Sequence, residues 1–164
     1  MTRIYVSIGT NINRETNLRA GVAELRRCFG ELTLSSVYES EAVGFAGDPF
    51  YNMVVGFDSD APLQAVVAEL HAIEDRHGRR REGPRFSSRT LDIDLLLYGN
   101  TVLGEGKLQL PRDEITKHAF VLWPLAEIAP NARHPLLGAT YAELWHNFDR
   151  DKQSLWPIPF TWSS

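Results

Sequence analysis

The chain has 164 residues, of which 43% are apolar, 23% charged and 10% aromatic, so one domain with a core of its own is expected. A lone Cys28 can form neither an internal disulfide nor a thiolate metal cluster, no apolar run reaches the roughly 18 residues of a membrane span, and no secretory apolar segment opens the sequence. A cytoplasmic protein that engages no membrane is expected. The net charge of −4 argues against a general nucleic-acid coat, yet fourteen of the seventeen basic residues are arginines and six of those fall between Arg76 and Arg89. Residues 71–90 carry +3, opposed only by Glu74, Asp75 and Glu82, and the remainder carries −7. One basic island on an acidic chain points to an anion site.

In chain order, residues 4–8 form a β-rich run ending in the turn-prone Gly9-Thr10-Asn11. Leu18, Val22, Leu25 and Phe29 recur at helical spacing, with Asn13 or Thr16 able to cap the start and Gly30 to stop it. Alternation over 31–38 predicts a half-buried strand, 44–49 a loop, and 51–57 another strand. Pro62 suits a first helical turn, and Leu63, Val66, Val67, Leu70 and Ile73 make the clearest apolar stripe, ending before Gly78. Residues 79–88 lack periodicity and contain Gly83-Pro84, which predicts a loop. A strand over 90–98 follows, then a short extended piece to Leu110 and helical segments near 113–118, 120–128 and 141–148. The tail, 154–164, is expected to be irregular. Interleaved strands and helices without a linker predict one α+β domain spanning 1–164.

The sharpest local signal is Arg89-Thr90-Leu91-Asp92-Ile93-Asp94-Leu95-Leu96-Leu97. Strand alternation puts Leu91, Ile93, Leu95 and Leu97 on one face and Asp92 and Asp94 on the other, about 6.6 Å apart along the strand. Such a pair suits a hard cation like Mg²⁺, which keeps waters and completes its shell with phosphate oxygens; the plain alternative is a solvated strand face. Leu96 and Tyr98 continue the carboxylate face, so it should be partly covered, where like charges need an answering cation. Arg79, Arg80, Arg81, Arg85 and Arg89 lead into this strand, and guanidinium forks pair bidentately with phosphate. Phe50, Tyr51, Asn52, Phe86, Phe120 and Trp123 could bind a flat heterocycle by stacking while an amide reads its edge, although each aromatic taken singly suits a core. Glu74, at the edge of the helical stripe, needs a partner. The phosphate-binding Gly-x-x-x-x-Gly-Lys and Gly-x-Gly-x-x-Gly patterns are absent.

These residues carry a family resemblance. Ile8-Gly9-Thr10-Asn11, Ser36-Val37-Tyr38-Glu39, Phe50-Tyr51-Asn52, Ile73-Glu74, the Arg89–Gly99 stretch, Leu110-Pro111 and Phe120 through Pro130 together resemble the 6-hydroxymethyl-7,8-dihydropterin pyrophosphokinases over nearly the whole length. The resemblance implies a ferredoxin-like three-layer α/β/α sandwich around a mainly antiparallel sheet. It implies transfer of diphosphate from ATP to the pterin hydroxymethyl group, with AMP released, in folate biosynthesis. Asp92 and Asp94 would hold two Mg²⁺ ions, with Asp94 the candidate proton acceptor and Arg79 and Arg89 catalytic beside it. Arg79, Arg81, Arg89, Arg112 and His118 would face the phosphates, and His71 and Glu74 the adenine. Thr10, Ser40, Val43, Phe50, Asn52 and Phe120 would form the pterin pocket, with Asp92 at its reactive end. The partners implied are these small molecules, with no nucleic acid, and a monomer is expected.

The chain departs from the family pattern in three places. Phe86-Ser87-Ser88 replaces Trp-Gly-Pro, Pro111-Arg112 replaces Pro-His, and His118 stands where an arginine is common. Arg112 keeps a fixed charge whereas His118 is cationic only conditionally. A weakened relative that only binds pterin or nucleotide, or an arginine-loop module that binds nucleic acid, are the alternatives; the acidity of the chain and the Asp pair inside the basic patch oppose the second.

Overall fold

In the computed structural model, which describes residues 1–41, 47–78, 91–104 and 108–162, the elements run β1 (Thr2–Thr10), α1 (Arg14–Phe29), β2 (Thr33–Leu34), β3 (Val37–Ser40), β4 (Phe50–Ser59), α2 (Leu63–Arg76), β5 (Asp92–Tyr98), α3 (Ala119–Ile128), α4 (Tyr141–His146) and β6 (Leu155–Ile158). Short 3-10 turns occupy Asp113–Thr116 and Arg150–Lys152. The strands form one six-stranded sheet in the order β5-β1-β4-β3-β6, with β2 beside β4, and every pairing is antiparallel. The expected α+β sandwich around an antiparallel sheet is therefore present. Among the described residues no helix is long and apolar enough to cross a membrane.

The two faces of the sheet differ in chemistry. Ile4, Val6 and Ile8 of β1, Met53, Val55 and Phe57 of β4, and Ile93 and Leu95 of β5 meet Leu18, Val22 and Leu25 of α1 and Val66, Leu70 and Ile73 of α2. Period-2 and period-3.6 apolar positions thus interlock into the larger core, the dominant source of stability. The opposite face is sparser: Val54, Leu96 and Leu97 pack under Val121, Leu122 and Leu125 of α3, with Ile115 and the wholly buried Tyr141 at its margin. Helix α1 ends at Gly30, whose φ of 84° is costly for a side chain bearing Cβ.

Three expectations change. The strand foreseen over 31–38 is split into β2 and β3, because Ser35 turns its hydroxyl, rather than its carbonyl, to the Val54 N–H at 2.9 Å. Regular alternation in β5 breaks after Leu95: Leu95 opposes Val6 while Leu97 opposes Tyr5, which leaves Leu96 as the extra residue of a bulge. Leu97 consequently joins Leu96 under α3, and Tyr98 crosses to the α1/α2 side, where its hydroxyl donates to the Ala61 carbonyl at 2.7 Å. The tail expected to be irregular supplies β6, and Phe160 and Trp162 beyond it pack on the larger core.

Tyr5 fits between the strands only because Gly56 has no side chain: a Cβ there would lie 2.8 Å from Tyr5 Cε1. Gly56→Ala should cost about 1–3 kcal/mol through overpacking, read as a lower midpoint in chemical denaturation. A penalty that persists undiminished when Tyr5 is also cut to alanine would locate the strain elsewhere.

Candidate active site

The register of β1 brings the chemistry-bearing residues to one end of the sheet. Gly9 pairs with Asp92 on one side and Asn52 on the other, and Asn52 in turn pairs with Tyr38. Directly opposed residues share a face, so Asp92, Gly9, Asn52 and Tyr38 form one row on the α3 side. Asp94, Ser7 and Val54 form the next row. Because the central member is glycine, the floor between the carboxylates and the amide stays low. A Cβ at Gly9 would sit 3.5 Å from Asn52 Oδ1 and 3.7 Å from Phe50 Cδ1, filling the space those side chains border.

Both carboxylates are half-buried, and they hydrogen-bond to each other. Burial first, and then the Asp92 charge, push the Asp94 carboxyl well above the usual range; Arg112 pulls the other way. The Arg112 guanidinium lies 3.3 Å from Asp94 Oδ1 and 3.3 Å from Glu114 Oε1. Its own backbone N–H donates to the Leu96 carbonyl at 3.0 Å, fixing the 110–114 segment beside β5. From the opposite layer, the buried Glu74 of α2 accepts the Ile93 N–H on Oε2 at 2.8 Å. β5 is an edge strand, so this carboxylate takes up a main-chain donor between the two aspartates that the sheet does not use.

The second wall is built from β3, β4 and α3. The Asn52 amide donates through Nδ2 to Ser40 Oγ at 2.7 Å, with Oδ1 on the Gly9 side. Thr10, fully buried, closes the β1 end with its hydroxyl donated to the Ile12 carbonyl at 3.1 Å. At the start of α3 the His118 and Phe120 rings stack with centroids 4.8 Å apart and planes 17° from parallel.

Among the described residues no group of three or more His, Cys, Asp and Glu side chains is arranged to hold a metal ion. The Asp92–Asp94 pair alone nevertheless fits a hard divalent cation: two oxygen donors meet on a half-buried face at the cost of like-charge repulsion, and a Mg²⁺ site of this kind leaves its other positions to water and phosphate oxygens.

Residues 5–130 match the 7,8-dihydro-6-hydroxymethylpterin-pyrophosphokinase (HPPK) family. The chain belongs to this family. The 2-amino-4-hydroxy-6-hydroxymethyldihydropteridine pyrophosphokinase of Pseudomonas aeruginosa is 37% identical over 138 residues, covering 81% of this chain and 84% of the relative. The protein of the same name from Synechocystis sp. is 35% identical over 156 residues, covering 93% and 78%. The crystal structure of wild-type Plasmodium falciparum HPPK-DHPS with pteroate superposes with a TM-score of 0.67 at 13% identity, a likeness of fold. It covers 88% of this chain, which spans only 42% of that one.

Set against the HPPK pattern, Thr10, Ser40, Phe50, Asn52, Asp92 and Asp94 lie together at one sheet end, with Arg112 beside Asp94. His71 and Glu74 lie on α2, in the other layer, with His71 exposed and Glu74 bound to the β5 backbone. Arg79, Arg81, Arg89, Val43 and the Phe86-Ser87-Ser88 departure fall outside the described residues. Sequence reasoning missed three supports. Arg14 donates to Glu39 Oε2 at 2.7 Å and to the Pro49 carbonyl at 3.1 Å, and Asn11 Nδ2 donates to the Asp48 carbonyl at 3.0 Å, so together they hold the approach to Phe50. Glu127 accepts the Ser36 N–H, the Ser36 hydroxyl and the Tyr38 hydroxyl, tying α3 to β3. Asn11, inside the Gly9-Thr10-Asn11 turn, and Glu127, inside the Phe120–Pro130 stretch, lie in segments the sequence had singled out, whereas Arg14 left no signal.

The folded pair retains a proton that the unfolded chain releases near the ordinary carboxylate pKa of about 4. The metal-free protein therefore loses stability as pH rises from that range through the elevated value. Asp94→Asn removes the repulsion and should stabilise the chain in chelator by about 1 kcal/mol at pH 8, or roughly 2–4 °C in Tm, with little gain at pH 4. Thermal unfolding at the two pH values checks this, and an equal effect at both would contradict it.

Proposed function

We propose that this chain transfers the diphosphoryl group of ATP to the hydroxyl of 6-hydroxymethyl-7,8-dihydropterin, releasing AMP, with Mg²⁺ held at Asp92 and Asp94. The observation that carries the proposal is the row Asp92–Gly9–Asn52 in a chain of this family. It places an edge-reading amide two strand spacings, about 10 Å, from a cation-binding pair. That span is commensurate with a fused two-ring heterocycle and its hydroxymethyl arm.

The Ser40 contact engages the Asn52 Nδ2, so Oδ1 is the atom oriented to accept from the N–H edge of the pterin. Phe50 and Phe120 flank the ring, and Thr10, Ser40 and Val43 shape its surroundings. The hydroxymethyl oxygen attacks the β-phosphorus; an oxygen–phosphorus bond forms there as the bond from β-phosphorus to the α,β-bridging oxygen breaks, and AMP leaves with that oxygen. The hydroxyl proton passes to Asp94, the carboxylate next to Asp92 at the reacting end of the row. Bound at the pair, Mg²⁺ supplies neutralisation of the triphosphate charge. Arg79, Arg81, Arg89, Arg112 and His118 supply further cationic or hydrogen-bonding contacts to the phosphates, Arg79 and Arg89 at the reacting centre. His71 and Glu74 lie towards the nucleotide base, and Glu74 also steadies the strand between the two aspartates. Most of the rate enhancement then comes from positioning and charge complementarity.

The reading includes a monomer in the cytoplasm. The β5 edge is engaged from within the chain by Glu74 at Ile93 and by Arg112 at Leu96, which leaves less of it for strand pairing between copies. Burial and the Glu69 carboxylate that it donates to push the Cys28 thiol up to about 11, so it stays protonated and weakly reactive.

The test is AMP formation from ATP, MgCl₂ and 6-hydroxymethyl-7,8-dihydropterin. Wild type should turn over, whereas Asp92→Ala and Asp94→Ala should each lose about 10³-fold or more with circular dichroism unchanged. No AMP from folded wild type would reject the activity. Near-normal turnover of either variant at limiting Mg²⁺ would reject the metal assignment.

A further inference from the structure

We propose that Gln153, outside the family-matched residues 5–130, is a positioning residue for the pterin pocket; the inference rests on the function proposed above. Its side-chain amide engages the main chain on both sides of His118: Oε1 accepts the Ala119 N–H at 2.7 Å and Nε2 donates to the Lys117 carbonyl at 2.9 Å. Ala119 opens α3, so its N–H has no acceptor within the helix. The N-cap residue, His118, makes no side-chain capping bond. Gln153 supplies the missing cap from 34 residues away in the sequence.

The consequence is directional. Residues 117–119, held at both ends of one amide, fix the backbone from which His118 and Phe120 project, and those two rings stack on each other. The same arm continues two residues later into β6, where Leu155 pairs with Ser40, the residue that accepts the Asn52 amide. One segment therefore ties the aromatic wall of the pocket to its hydrogen-bonding wall. The Asp pair lies across the sheet, outside the reach of this grip. Of the residues in this grip only His118 faces the phosphates, so Gln153 should govern pterin affinity chiefly and ATP affinity to a smaller degree.

The experiment uses the full chain with Gln153→Ala and Gln153→Glu, AMP formation being measured with each substrate varied against saturating concentrations of the other. Gln153→Ala should raise the pterin KM roughly tenfold and the ATP KM by only about threefold, in the range of losing one or two hydrogen bonds. Gln153→Glu keeps an acceptor for the Ala119 N–H but loses the donor to Lys117, and should recover part of the pterin KM. Binding of 6-hydroxymethylpterin in the presence of α,β-methylene-ATP gives a second measurement that needs no turnover, and it should weaken in the same order. Unchanged pterin KM and binding in a folded Gln153→Ala, or equal losses for both substrates, would overturn the positioning role while the activity stands. If the alanine variant does not fold, a glutamate variant with unaltered pterin binding overturns it as well. Wild type that forms no AMP overturns the function and this inference together.

Discussion

The pairing of β1 with β4 and β5 is the constraint on which the rest of the structure depends. Its alternation of Ile4, Val6 and Ile8 towards α1 and α2 commits Ser7 and Gly9 to the opposite face. Through Gly9 it also commits Asp92 and Asn52 to a common row. A slip of one residue would invert every side chain of the slipped strand. In β5 it would drive Asp92 and Asp94 into the α1/α2 core and turn Ile93 and Leu95 out. The desolvation cost of two unpaired carboxylates is several kcal/mol, so the charges that create the site also forbid the wrong register. Fold and site are specified by the same alternation.

That arrangement has a cost, which the surroundings offset locally. Two carboxyl groups in contact on a half-buried face repel; the structure answers with Arg112 at Asp94, and the repulsion raises the proton affinity of Asp94. Glu74 adds a constraint of a different kind, since it fixes the backbone between the aspartates without joining their cluster. A side chain that only neutralised the pair would stabilise the metal-free protein and weaken its hold on a cation. Arg112 avoids this by dividing its charge between Asp94 and Glu114, both at 3.3 Å. Among the described residues the carboxylate pair thus keeps negative charge to spare, as the cation proposed for it requires.

Much of this was legible in the sequence because it rests on periodicity. The alternation of Asp92-Ile93-Asp94-Leu95 gave the carboxylate face, and the stripe Leu63, Val66, Leu70 and Ile73 gave α2 and the edge position of Glu74. What escaped has physical reasons. A bulge is a single inserted residue, so nothing in Leu95-Leu96-Leu97 announces that Leu97 changes sides. Leu155-Trp156-Pro157-Ile158 contains a proline and lacks alternation, which reads against a strand, yet an edge strand tolerates a missing donor. Arg14, Glu127 and Gln153 act through hydrogen bonds between segments 25 to 91 residues apart, and such contacts leave no local pattern. The resemblance to a family supplied the identity of the ligands, which periodicity could not.

The two faces of the sheet divide labour unequally, and this explains where the supports are found. The α1/α2 face is held chiefly by its larger apolar core, with polar ties such as Glu24 to Arg76 and His77 added between the two helices. The α3 face gives up apolar positions to Ser7, Gly9, Asn52, Asp92 and Asp94, so its smaller core is less able to hold α3 by packing alone. Directional bonds take over there: Glu127 ties one end of the helix to β3, and Gln153 caps the other. A helix held at its two ends by hydrogen bonds keeps a defined orientation where a larger core would otherwise set it. The polar residues that make the pocket thus create the need for the polar residues that support it.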